Sequence, residues 1–308
     1  MMKENSNQIV HGMWIGEHLS PLELLSIRSF LDHGHEYWLW TYNELVSPLP
    51  ANLVIKDAAT IIPAHKVFAY QKGNQFGHGK GSYAGFSDLF RYKLLYEYGG
   101  WWADLDITCL RPLDFETPYV FRAHDVLPVV GNLMKCPAHS QLMLDCYETA
   151  LREVNALNTD WMKPIRILND YIHKHQLTTF IIPEISNPDR WEIVDFYRAY
   201  PARIPRHYYA FHWMNEEWRS RNLDKYACYK YSTLDHLMAV HHISITRRPP
   251  SSYAQYVWKW IAFRLIPLIP RPLRLLAKML KKTLRAPLVF ARELVPRHSK
   301  TTVNKRLI

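Results

Sequence analysis

The first half of the chain alternates between two hydrophobic periods. Ile9 to Ile15 is a largely apolar run, the pattern of a buried strand. Ser20-Pro21 then supplies an N-cap followed by proline at the first helical position, which predicts a helix to about His33. Glu36 to Tyr42, rich in Trp and Tyr, reads as a second strand, and Val54-Ile55 begins a short third one. Strand, helix and strand in this order predict an α/β fold with a mainly parallel sheet. Further on, Phe86, Leu89, Phe90, Lys93, Leu94 and Glu97 follow helical spacing within Ser82 to Tyr98, with Gly99 as the C-cap. Trp101 to Leu110 is expected as one strand. Residues 140–157 and Ile165 to His175 are expected as helices.

Composition adds a boundary. The chain has 308 residues, enough for one large α/β domain with an appendage, and a formal charge of +10 that is unevenly spread. Arg247 to Ile308 holds 15 Lys and Arg against the single acid Glu293, a charge of +14, which leaves −4 on residues 1–246. The expected organisation is a folded domain over 1–246 and a basic tail over 247–308. In the tail, Val257 to Ile269 is apolar but interrupted by Lys259 and Arg264, and Pro267, Pro270 and Pro272 break any long helix. Leu273, Leu276, Ala277, Leu280 and Leu284 then share one helical face, with Arg274, Lys278, Lys281, Lys282 and Arg285 elsewhere. That pattern predicts an interfacial amphipathic helix drawn to an anionic membrane surface by about 1 kcal/mol per basic residue. No nucleic-acid motif accompanies the charge, so nucleic acid is not an expected partner.

No signal peptide or spanning run is visible, and Cys109, Cys136, Cys146 and Cys228 form no CxxC pair. A cytoplasmic protein with free thiols, peripheral on the inner face of the membrane, is the expectation. The loop Gly73 to Gly81 is glycine-rich but is not a phosphate-binding Walker loop. Asn74 stands where a glycine is needed, and Gly81 where Ser or Thr is needed.

The chemistry concentrates in Ser87-Asp88-Leu-Phe-Arg91, Gly99-Gly100 and Trp102-Ala-Asp104-Leu-Asp106. Asp88 and Arg91, three apart on a helix, share a face; one suits sugar hydroxyls and the other a phosphate or sugar oxygen. On a strand Trp102, Asp104 and Asp106 would point the same way. Two carboxylates so placed repel unless a cation or water intervenes, and a hard divalent ion, Mn²⁺ or Mg²⁺, suits them.

The stretch SDLFRYKLLYEYGGWWADLDITCLRPL resembles the signature of the DXD-containing glycosyltransferases of family 32, whose sugar-binding region is similar to that of the large clostridial glucosylating toxins. IVHGMWIG and HWMNEEW, His212 to Trp218, resemble that family's first strand and a late segment, so the likeness covers roughly residues 8 to 220. The resemblance implies a GT-A fold, a divalent metal and a UDP- or GDP-sugar donor. It implies Trp14 stacked on the donor base, Asp88 and Arg91 on the donor sugar, and Asp104 on ribose and sugar hydroxyls and weakly or through water on the metal. Asp106 would ligate the metal directly, with His212 and Asn215 completing the metal and diphosphate end. Trp102 stands where the family usually has Tyr. Transfer would proceed with retention to a glycan or lipid-linked acceptor, in the setting of bacterial capsule or O-antigen assembly. His241-His242 is a competing ligand pair, and His124-Asp125 could face the acceptor. Two other readings start from the same residues. Asp104-Leu-Asp106-Ile-Thr108 also fits the DxDxT pattern of haloacid-dehalogenase-like phosphatases with Asp104 as nucleophile, and the basic tail alone could make a non-enzymatic membrane-binding module.

Overall fold

The computed structural model describes residues 7–77 and 79–249. The amphipathic helix expected over Leu273 to Arg285 and the apolar stretch before it lie outside the described residues, as does His78 of the glycine-rich loop.

The strands form in chain order as β1 (Ile9–Trp14), β2 (Glu36–Thr41), β3 (Val54–Asp57), β4 (Gly100–Ala103), β5 (Ile107–Cys109), β6 (Val120–Ala123), β7 (Val129–Cys136), β8 (Ile181–Ile182), β9 (Ala210–His212), β10 (Ala227–Tyr229) and β11 (Thr246–Arg248). The α-helices are α1 (Pro21–Asp32), α2 (Ala84–Tyr98), α3 (Gln141–Glu153), α4 (Lys163–Lys174), α5 (Trp191–Ala199), α6 (Asn215–Ser220) and α7 (Thr233–Val240). The main sheet has the order β3-β2-β1-β4-β7-β6-β8. β3, β2, β1 and β4 pair in parallel, β7 is antiparallel to both β4 and β6, and β8 is parallel to β6. The expectation of a mixed α/β fold with a mainly parallel sheet therefore holds. Two small sheets, β5-β9 and β10-β11, lie outside it.

Local sequence explains the first elements. Ser20 accepts from the Leu22 N–H, Glu23 reaches back to the Ser20 N–H across 2.8 Å, and Pro21 opens α1. Helix α2 ends at Gly99, whose φ of 65° a side chain would resist and where a Cβ would lie 2.4 Å from the Ala138 nitrogen. Phe86, Phe90, Leu94 and Leu95 of α2 are fully buried with residues of α3 and α4 against one face of the sheet. Ile27 and Phe30 of α1 are buried with Val10, Leu39 and Trp101 against the other. Each such side chain contributes about 1.5–3 kcal/mol by leaving water, and together they fix both faces of β1 and β4.

The chain runs from β1 outward through β2 to β3, then returns along α2 to place β4 on the other side of β1. Strand order thus reverses between β1 and β4. In open α/β sheets a crevice forms at the carboxyl ends of the strands at such a point.

One expectation is corrected. Trp101 to Leu110 is not one strand. β4 stops at Ala103, the Ile107 N–H closes a turn on the Asp104 carbonyl at 3.0 Å, and β5 leaves the main sheet to pair with β9. Trp102, Asp104 and Asp106 consequently do not share a strand face. Alternation with period two does not govern them, because the two carboxylates occupy the turn between two strands.

Two arginines counted with the basic tail belong to β11. Arg247 pairs with Asp235 at 2.6 Å and Arg248 with Asp224 at 2.5 Å. Among the described residues, no helix is long and apolar enough to cross a membrane. All four cysteines are buried and free.

Candidate active site

The Asp104–Asp106 turn sits at the carboxyl end of β4, beside the carboxyl end of β1. The register pairs Val10 with Trp101 and His11 with Trp102, and Trp14 is the last residue of β1. Leu105 folds back over β1, where a Cβ on Gly12 would meet its Cδ1 at 2.8 Å and the Tyr37 hydroxyl at 2.2 Å, so only glycine fits there. Trp14 is half-buried, and its Nε1 is enclosed without a hydrogen-bond partner.

Asp104 faces α2. Its Oδ1 accepts from Arg91 Nη2 at 2.8 Å and from Trp102 Nε1 at 2.6 Å. Arg91 Nη1 donates to Asp88 Oδ1 at 2.7 Å, so one buried guanidinium bridges the helix and the turn. The indole of Trp102 contributes a donor that holds Asp104. Burial pushes the Asp88 carboxyl up to about 6, against the pull of Arg91. Burial likewise raises Asp104, with Arg91 opposing and the negative charge of Asp106 adding to the rise. Asp104 keeps about a third of its side chain exposed, whereas Asp106 is nearly closed off.

Asp106 faces the opposite way, toward the segment His212 to Asn215. Its Oδ2 accepts from the Asn215 N–H at 2.6 Å and lies 3.2 Å from His212 Nε2, while its carbonyl accepts from the Trp213 N–H at 2.8 Å. Met214 makes this possible by taking a left-handed conformation, φ 57°, which turns the Asn215 N–H back onto the carboxylate. Strain of this kind persists only where its surroundings hold it in place. Burial raises the Asp106 carboxyl, but the adjacent imidazole and the Asn215 N–H outweigh it and hold the group below the usual carboxylate range. His212 shows the converse: burial lowers it, while Asp106 and Asp189 push it up to about 10.

The structure thus brings Asp88, Arg91, Trp102 and Asp104 into one hydrogen-bonded group, and Asp106, His212 and Asn215 into a second, joined through the turn. Trp14 ends β1, the strand that neighbours β4. His241 is not brought here; it bonds Asp32 at the end of α1, at 2.8 Å. His124 reaches the edge of the second group, 3.4 Å from Asp189, and Asp125 pairs with Arg190. The glycine-rich loop is fastened to α6: the Gly79 N–H donates to Glu216 Oε1 at 3.0 Å, and Arg219 Nη1 donates to the Lys80 carbonyl at 2.9 Å.

Three participants escape sequence reasoning. Asp189 Oδ1 lies 2.6 Å from His212 Nδ1, and Arg122 grips both oxygens of Asp189 at 2.7 and 2.8 Å. Asn187 bonds both the N–H and the carbonyl of His212, at 2.7 and 3.1 Å. A guanidinium inside the apolar strand Val120-Phe121-Arg122 was the available signal, because a buried cation needs a carboxylate. Asp189 and Asn187 sit in a loop with no pattern of their own.

The donor set suits a hard or borderline divalent ion. Two acceptor oxygens, Asp106 Oδ1 and Asn215 Oδ1, are buried with no hydrogen-bond partner. Buried acceptors left in this way are costly, and a cation would satisfy both. Among the described residues, no group of three or more His, Cys, Asp and Glu side chains could hold a metal alone. A cation at Asp106, His212 and Asn215 would therefore take the rest of its coordination from a ligand or water.

Residues 26–125 match the family model described as a glycosyltransferase sugar-binding region containing a DXD motif. The match includes Asp88, Arg91, Asp104 and Asp106 and supports a glycosyltransferase. No curated protein matches the chain in sequence. Among solved structures, the chain is similar to the PaToxG glycosyltransferase, at 13% identity and a TM-score of 0.38, covering 55% of this chain and 69% of that one. It is also similar to a transferase carrying two Cys-to-Ser substitutions, at 8% identity and a TM-score of 0.39, covering 57% of this chain and 91% of that one. Neither likeness is close enough to carry an argument about activity.

Proposed function

We propose that this chain moves a sugar from a UDP- or GDP-sugar to a hydroxyl of a glycan or lipid-linked acceptor, on a GT-A-like sheet, with the donor lying across the carboxyl ends of β1 and β4. In this reading Arg91, braced by Asp88, and Asp104 bind the donor sugar, and Trp14 covers the base. Asp106, His212 and Asn215 would hold Mn²⁺ or Mg²⁺, which would supply positive charge to offset that of a diphosphate leaving group. The observation that carries the reading is the pair of buried, unpartnered oxygens, Asp106 Oδ1 and Asn215 Oδ1, on residues already joined by a backbone hydrogen bond.

This chain's own groups supply the rest. The Arg91 guanidinium is fixed by two carboxylates before any substrate arrives, so little ordering is left to be done on binding. The indole of Trp102 and the guanidinium of Arg91 both donate to Asp104 Oδ1, which leaves Oδ2 for a sugar or ribose hydroxyl. Retention, and a role in bacterial surface-polysaccharide assembly such as capsule or O-antigen, extend the same reading. So does attachment of the basic tail to the inner membrane face, next to a lipid-linked acceptor.

The test is acceptor-free hydrolysis of a panel of UDP- and GDP-sugars with Mn²⁺, with Mg²⁺ and with chelator. The reading expects one donor to be cleaved in a metal-dependent manner. Failure of every donor to be cleaved or bound in the presence of metal would remove the assignment.

A further inference from the structure

We propose that Asp189, clamped by Arg122, is a positioning residue that fixes the ring of His212 so that its Nε2 faces Asp106. The proposal deepens the reading above and rests on it, since Asp106 and His212 matter here as cation ligands.

Arg122 on β6 is 2% exposed, and its donors are all used. Nε bonds Ser186 Oγ, Nη1 bonds Asp189 Oδ2 and the Asn132 amide oxygen, and Nη2 bonds Asp189 Oδ1 and the Asn187 carbonyl. A bidentate guanidinium fixes the plane of the Asp189 carboxylate as well as its position. The same Oδ1 then takes the hydrogen of His212 Nδ1 at 2.6 Å. With Nδ1 donating to Asp189, Nε2 is turned toward Asp106, 3.2 Å from Oδ2, where its N–H donates to that carboxylate and a cation would take the place of that proton. Asn187, from the same loop, holds the His212 backbone by two hydrogen bonds. Ring and backbone of one residue are therefore both set by the 186–189 loop, and that loop is anchored by one arginine. Histidines that bind metal commonly donate their other ring N–H to a carboxylate, and loss of that partner weakens metal binding by about 10- to 100-fold.

A simple structural ion pair would hold the loop down without any bearing on cation affinity, and this difference decides the test. Asp189→Glu keeps a negative charge opposite Arg122 but shifts the carboxylate by a methylene. Free Mn²⁺ is followed by electron paramagnetic resonance as it is titrated into the full chain with UDP and, separately, with GDP. The expected result is a melting temperature close to that of the parent without metal, Mn²⁺ binding weakened by about 10- to 100-fold, and no further weakening when Asp189→Glu is added to His212→Ala. Should Asp189→Glu not fold, Asp189→Asn, which preserves the side-chain shape, is measured in the same way with the same expectation. Parent-like Mn²⁺ affinity in the folded variant, or an equal loss in the His212→Ala background, overturns the proposal and leaves the cation reading standing. Absence of Mn²⁺ binding by the unaltered chain instead overturns the cation reading itself, and the proposal with it.

Discussion

The backbone N–H of Asn215 donates to Asp106 Oδ2 across 2.6 Å and 109 residues of sequence. Through this one bond the turn that ends β4 and the segment that follows β9 become a single site. Trp213 strengthens the connection, since its N–H bonds the Asp106 carbonyl and its indole bonds Thr108 Oγ1 at 2.8 Å.

Gly131 on β7 is the first place to test the donor half of the site. A Cβ there would lie 2.4 Å from Arg91 Nη1, and Arg91 is held by Asp88 and Asp104, so any shift that relieves the clash disturbs those pairs. Gly131→Ala should cost about 1–3 kcal/mol of stability by overpacking. It should also raise the donor KM by about tenfold, equivalent to about 1.4 kcal/mol. Steady-state kinetics with a cleaved donor, alongside a urea melt, measures both. An unchanged KM would show that Arg91 does not contact the donor.

Asp88 makes a prediction with a definite sign. Its carboxyl titrates near 6 in the folded chain against 3.8 for the ordinary group, because burial outweighs Arg91. Between those values the folded state binds more protons than the unfolded one, so this group's contribution to stability is largest at low pH and declines as pH rises through the window. Replacing Asp88 by Asn should therefore become more favourable, relative to the parent, by up to about 3 kcal/mol as pH goes from 4 to 7. Urea unfolding of both proteins at several pH values checks the slope, and a flat difference would contradict it.

His11 on β1 should act in the opposite direction. Burial, with a smaller push from Lys56 and against a bond to the Gly99 backbone, lowers it from 6.5 to about 3, and its Nδ1 accepts from Trp40 Nε1 at 3.2 Å. The folded state binds fewer protons between 3 and 6.5. Stability tied to His11 is thus present above pH 6.5 and is lost as pH falls toward 3, by up to about 5 kcal/mol. His11→Asn should flatten the acid limb of the stability profile measured by urea titration between pH 4.5 and 7.5.

For the tail, the expectation comes from sequence alone. Deleting residues 253–308 should move the protein from the membrane fraction to the soluble one, and should abolish sedimentation with vesicles containing phosphatidylglycerol. Equal sedimentation with and without the tail would end the proposed membrane attachment.

Much of the fold was legible in the chain. Ser20, Pro21 and Glu23 declare the start of α1, Gly99 declares the end of α2, and the apolar runs of β1 and β2 declare the sheet, because each is a local effect. The Asp88–Arg91 contact was legible for the same reason, being a single helical turn. The break at Asp104 was not. Alternation along Trp101 to Leu110 fits one strand as well as two, and the choice is made by β9, a hundred residues away. Asp189 and Asn187 were invisible because a loop residue's partner is set only when the fold closes. His241-His242, the lower-ranked ligand pair, is conspicuous in sequence, but its buried member ties α7 to Asp32.

Asp106 is the residue on which the proposed site depends. Calorimetric titration of UDP, and separately GDP, into the chain with and without Mn²⁺ should show one of them binding only when metal is present. With Asp106→Asn, metal-dependent binding should disappear while the protein keeps its circular dichroism spectrum and melts cooperatively. If Asp106→Asn binds the nucleotide and Mn²⁺ as tightly as the parent, the cation does not sit on this carboxylate and the site described here is not the reaction centre.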